Sequence, residues 1–126
     1  MLVILFAASA SAAPRLVATG SPTVGTPTSL AFTEDIGGHV LIAGCEPIEL
    51  ERRDDTAWVP VGGALCPRAV PATEVEGELV LTVAVPTPGT WRAVLAWGAD
   101  CVAGRPFSVA ACRRVDVVRS EPFEVR

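Results

Sequence analysis

The sequence predicts an all-β sandwich of about seven short antiparallel strands. Three observations carry that expectation. Apolar side chains recur two apart in short runs, the period of one face of a strand. Eleven glycines and eleven prolines are scattered over 126 residues, so turn signals return about every 8–12 residues, as in sandwiches. Beyond the amino-terminal apolar run, the one stretch of more than 12 residues without Gly or Pro is Phe107 to Glu121. Its weak i, i+3 pattern through Val109, Cys112, Val115 and Val118 is outweighed by its valines, which lose rotamer freedom in a helix.

Taken in order, residues 13–27 form an extended segment rich in Pro, Gly, Ser and Thr, with at most one strand, Leu16 to Thr19. Thr28 to Ile36 opens with Leu30 and Phe32 on one face. Val40 to Ile42 follows the Gly37-Gly38 break. Ile48-Glu49-Leu50-Glu51 alternates apolar with acidic, turns at Asp54-Asp55-Thr56 and returns as Trp58-Val59-Pro60-Val61. Ile48 to Val59 is also free of Gly and Pro, but its spacing of two fits a strand. Residues 62–77 read as irregular. Glu78 to Val85 is the clearest strand, with Leu79, Leu81, Val83 and Val85 on one face. After the rigid Pro86-Thr87-Pro88-Gly89 turn, Trp91, Ala93, Leu95 and Trp97 alternate and bury two indoles. Residues 99–112 read as a loop bracketed by cysteines, and Val115 to Val118 and Phe123 to Val125 complete the domain. Trp58 is expected in the core, with an exposed aromatic anchor as the alternative.

Residues 2–8 are apolar and lead into Ser-Ala-Ser-Ala-Ala-Pro, the pattern of a secretory signal peptide over 1–12 with cleavage after Ala12 or Ala13. The run is too short to cross about 30 Å of hydrocarbon. A buried first strand of a cytosolic protein is the alternative. Cys45, Cys66, Cys101 and Cys112 all fall in the part to be exported. An even count in a small secreted chain reads as two disulfides, and no Cys-x-x-Cys pair favours a metal. Three connectivities are possible; the sequence-local one, Cys45–Cys66 with Cys101–Cys112, is the expectation, with buried free thiols as the alternative. The expected compartment is therefore periplasmic, cell-surface or extracellular.

The charged residues are ten arginines and fourteen acids, a net charge of -4, without a basic block, which argues against nucleic acid as a partner. A single histidine, His39, supplies neither a multi-histidine metal site nor a two-histidine relay. No Gly-x-Ser-x-Gly, Gly-x-Gly-x-x-Gly or phosphate loop occurs. The carboxylates Glu49/Glu51 and Asp54/Asp55 read as solvated faces. Asp54-Asp55 with Glu74, Glu76 and Glu78 offers hard oxygen ligands for calcium, yet a solubilising strand face accounts for them, and no metal or cofactor is assigned. The chain is read as non-catalytic.

Three local patterns line up in order: Glu49-Leu50-Glu51-Arg52 with Trp58-Val59-Pro60-Val61, then Pro88-Gly89-Thr90-Trp91-Arg92, then Ser120-Glu121-Pro122-Phe123-Glu124-Val125. Together, over residues 28–126, they resemble the immunoglobulin-like domains of bacterial secreted and lipoprotein chains. The resemblance implies an immunoglobulin-like β-sandwich, an exported location and no catalytic residues. Trp91 stands where such domains carry a tyrosine, so the hydrogen bond of a tyrosine corner has to be made otherwise.

The segment between Cys101 and Cys112 holds Val102, Arg105, Phe107 and Val109, an apolar content unusual for a surface loop. A disulfide across its base lowers the ordering cost of binding. Arg105, Phe107 and Val109 are therefore the candidate recognition residues of a binding or accessory module whose partner is a protein or envelope component. The alternatives are that Phe107 and Val109 cap the core, that the domain is a structural spacer, or that it is a small secreted hydrolase or inhibitor.

Overall fold

A computed structural model describes residues 13–37, 40–62, 66, 70–102 and 111–126. Those residues form ten strands and no helix: β1 (Arg15–Thr19), β2 (Pro27–Thr33), β3 (Val40–Ile42), β4 (Ile48–Asp54), β5 (Ala57–Val61), β6 (Thr73–Val75), β7 (Glu78–Ala84), β8 (Gly89–Cys101), β9 (Cys112–Arg119) and β10 (Phe123–Val125). They make two antiparallel sheets, a three-stranded one in the order β1-β2-β7 and a seven-stranded one built around β8. The fold is an all-β sandwich.

The thirteen residues of β8 explain how seven strands share one sheet. On one side β8 pairs first with β4, Arg52↔Trp91 to Ile48↔Leu95, and then with β3, Ile42↔Trp97 to Val40↔Ala99. On its other side it pairs first with β10 and then with β9. β5 extends β4 and β6 extends β3. The large sheet is thus only four strands wide at any height, with its outer positions filled in tandem.

Period-two alternation places the core between the sheets. Trp91, Ala93, Leu95, Trp97 and Ala99 of β8 point inward, against Leu16, Leu30 and Phe32 of the small sheet. Both indoles are buried, Trp91 fully. The alternation read along β7 is present, but Leu79, Leu81 and Val83 are only half-buried because β7 is an edge strand.

Two glycines are required by their surroundings. Gly89 adopts φ 140° at the start of β8, where a Cβ would also meet Arg52 Nε at 3.2 Å. Gly44, between β3 and β4, lies so close to the Pro71 carbonyl that a Cβ would sit 2.0 Å from its oxygen. That approach brings the bend after β3 against the segment that carries Cys66.

Four expectations need correction. The stretch 62–77 contains β6, three residues too short to announce themselves by periodicity. The loop read as 99–112 is shorter, since β8 runs through Cys101 and β9 starts at Cys112. Glu74, Glu76 and Glu78 do not share one strand face, because the chain turns at Gly77, φ 76°, between β6 and β7. Trp58 is outside the core: it is half-buried on the outer face of the large sheet, with the Arg92 guanidinium 4.4 Å from its ring centroid. Arg92 in turn donates from Nε to Glu51 Oε1 at 2.6 Å. A stacked cation, rather than the facing sheet, covers this indole.

Candidate functional site

The hairpin of β8 and β9 stays in one register from Val94↔Arg119 to Cys101↔Cys112. The last cross-strand pair is also a disulfide, Cys101–Cys112. One residue further, the Val102 amide donates to the Ala111 carbonyl at 2.7 Å. A covalent bond and a backbone hydrogen bond therefore clamp the two ends of the loop in succession. Ala111 and Cys112 are buried, whereas Val102 is 56% exposed, so the hairpin emerges from the sandwich at this point. Asp100, at φ 54°, turns the end of β8; aspartate is among the few side chains that accept this conformation.

The candidate recognition residues Arg105, Phe107 and Val109 fall within 103–110 and lie outside the described residues, as does His39. What the structure gives is their setting. The connections β2–β3, β6–β7 and β8–β9 leave the sandwich at the same end, because Val40 pairs with both Val75 and Ala99. The Glu34 amide donates to the Gly77 carbonyl at 2.9 Å and joins the first two. Glu34 Oε2 accepts from the amides of Ile36 and Gly37 at 3.0 and 3.1 Å, which shapes the chain leaving β2. Glu34, Asp35, Glu76 and Asp100 stand at this end together with Arg15, Arg113 and Arg114, so its rim carries charges of both signs, and Asp35 is paired with Arg15 at 3.5 Å.

The outer face of the large sheet continues from the clamp. Leu41, Gly98 and Val115 form one cross-strand row and Ala96 with Val117 the next, on the side of β8 away from its tryptophans. Val117 is 41% exposed and Leu41, Ala96 and Val115 are half-buried. Arg113 and Arg119 flank this apolar strip on β9. On the inner side Arg114 lies over the Trp97 ring, 4.9 Å from its centroid, and covers the end of the core. The strip escapes sequence reasoning because Arg-Arg-Val-Asp-Val-Val puts both charge and valine on each face. The valine row opposite Gly98 and Ala96 becomes visible only through the register.

The second disulfide, Cys45–Cys66, ties the bend between β3 and β4 to the segment after β5. Both disulfides thus follow the sequence-local pairing, and together they fit a small secreted or extracellular protein. No helix among the described residues is long and apolar enough to cross a membrane. Asp54-Asp55 sits at the β4–β5 turn, beyond the Arg52↔Trp91 pair, at the opposite end of the sandwich from Glu74, Glu76 and Glu78. The two acidic groups therefore share no site. At that same far end an open cleft of about 370 Å³ lies between residues 20–23 and β10. Its Glu124 carboxylate is engaged by the Thr90 hydroxyl. Comparison with protein-family models, with curated proteins and with solved structures gave no match to this chain.

Proposed function

We propose that the chain is an exported, non-catalytic binding module of the immunoglobulin-like kind, and that the disulfide-closed β8–β9 hairpin is its recognition element. Two features support the family reading. With β3/β4, β5/β6 and β9/β10 counted as one strand each, three strands face four in the order β1-β2-β7 against β5-β4-β8-β9. Chain order then follows the A-B-E and C′-C-F-G division found among immunoglobulin-like sandwiches. Trp91, near the start of β8, donates from Nε1 to the Thr87 carbonyl four residues upstream at 3.0 Å. The indole N–H so makes the bond that a tyrosine corner makes with its hydroxyl.

The observation that carries the binding reading is the double clamp at Cys101–Cys112 and Val102–Ala111. A loop whose ends are held before it meets a partner loses less freedom on binding. Arg105 and Phe107 are of the residue types that contribute most to interface energies. Phe107 is the anchor, Arg105 its polar handle, and Val109 widens the apolar contact. The partner class is a protein or envelope component.

The test pairs capture with melting. Immobilised chain is exposed to a solubilised envelope fraction, and the variant Arg105→Ala/Phe107→Ala is run beside it. Recognition predicts at least a tenfold loss of capture, about 1.4 kcal/mol, with an unchanged melting temperature. A core-capping Phe107 predicts the opposite, a stability loss of roughly 3 kcal/mol for Phe107→Ala alone. A spacer predicts that neither quantity moves.

A further inference from the structure

The outer face of the small sheet points to a partner different from that of the hairpin. The register β1-β2-β7 lays out its side chains as cross-strand rows: Arg15, Thr33 and Glu78; then Val17, Ala31 and Val80; then Thr19, Ser29 and Thr82. These side chains point away from the core, since their neighbours Leu16, Leu30 and Phe32 point into it. Val17 is 52% exposed and Val80 is 58% exposed, the two sides of one apolar row. The row beside it has a cation on β1 and an anion on β7.

We propose that this face pairs with the same face of a second copy of the chain, about a two-fold axis running along β2. Such an axis leaves each row at its own height and exchanges the flanking strands, so β1 of one copy lies over β7 of the other. Arg15 then meets the partner's Glu78, and Glu78 meets the partner's Arg15. Val17 lies over the partner's Val80, Ala31 over the partner's Ala31, and the hydroxyl rows face one another. Every row is its own complement under this operation, as an isologous contact requires. A two-fold axis lying across the strands would instead set Arg15 over Thr19 and leave both charges unmatched.

The existing contacts of these groups permit the pairing. Arg15 meets Asp35 through Nε at 3.5 Å, with both side chains more than half exposed, and a guanidinium has further N–H donors with which to take a second carboxylate. Sheets pack face to face at about 10 Å, a gap that Arg and Glu span while valines fill it. Three strands about 4.8 Å apart, five residues long in β1 and seven in β2 and β7, give a face of roughly 300 Å² per copy. That is below the roughly 800 Å² per partner of a standard interface, so the dimer is a weak one that forms reversibly at high concentration.

Sedimentation equilibrium of the oxidised chain, from about 10 μM to about 1 mM, reads the association directly. The expected result is a monomer–dimer equilibrium weakened at least tenfold by Glu78→Arg and equally by Arg15→Glu. Mixing the two variants restores it, because the heterodimer regains both ion pairs while each variant repels itself. Val80→Asp abolishes association in every combination. The substituted positions are exposed, and circular dichroism confirms that each variant is folded. Monomer throughout the range overturns the proposal. So does association that survives charge reversal, or a mixture that associates no better than its components.

Discussion

Thr28 is the one residue of the inner face of β2 that carries a polar group. Its side chain stands in line with Leu30 and Phe32, it is 3% exposed, and its Oγ1 finds no hydrogen-bond partner among the described residues. A buried hydroxyl without a partner keeps its desolvation cost and returns nothing. Valine has the same shape without that group. Thr28→Val is therefore expected to stabilise the chain by about 1 kcal/mol, a rise of about 4 °C in melting temperature by calorimetry. Trp91 shows the opposite economy. Its indole is fully buried, yet its single polar atom reaches the Thr87 carbonyl, so the largest core side chain leaves no orphan donor.

Ser120 has the same influence at the level of strands. β9 ends at Arg119 and β10 begins at Phe123, so between them β8 would lose its partner. Ser120 bridges the gap with both its backbone and its side chain. Its amide donates to the Ala93 carbonyl at 2.9 Å, and its Oγ accepts from the Ala93 amide at 2.9 Å. The hydroxyl does the work of a missing strand carbonyl. Ser120→Ala leaves the buried Ala93 amide unpaired, and the expected loss is about 1–3 kcal/mol in denaturant unfolding. Hydrogen exchange at Ala93 should accelerate beyond that of Leu95, the next inward residue on β8. If Ala93 stayed as protected as in the parent chain, the bridging role assigned to Ser120 would be wrong.

For the whole molecule, covalent closure matters because 126 residues bury a small core. The Cys45–Cys66 bond spans a sequence separation of 21 and holds the bend where Gly44 meets Pro71. Cys45→Ser with Cys66→Ser is expected to cost roughly 3 kcal/mol in the chain-entropy description, read as a lowered denaturant midpoint with the second disulfide intact. How much of this architecture was legible depended on one physical signal, the alternation of apolar residues. Where apolar residues recur two apart, as from Trp91 to Trp97 or in Glu78 to Val85, the pattern announced the strand. Trp58 was misplaced because an indole on a strand alternates identically whether a facing sheet or an arginine covers it. β6 was missed because three residues carry no period. Pairing of Val115 and Val117 with Gly98 and Ala96 is a property of register, which local sequence does not encode. The loop proposed for recognition is marked in the sequence by its cysteines and its apolar content, signals that locate it without describing its shape.

The tandem pairing along β8 has a consequence for when the chain can fold. β3, β4, β9 and β10 all depend on this one strand, and it lies at residues 89–101 of the 126. A chain threading through a membrane pore amino end first can assemble the β4–β5 hairpin early and the small sheet once β7 has emerged. It has nothing to close the second layer until β8 appears. Non-local pairing of this kind is slow to form, which leaves the chain slack for most of its passage. If the chain is exported as proposed, the hub of the sheet would act as a timer: the second layer closes only once β8 has crossed, so the cysteines come into register on the far side.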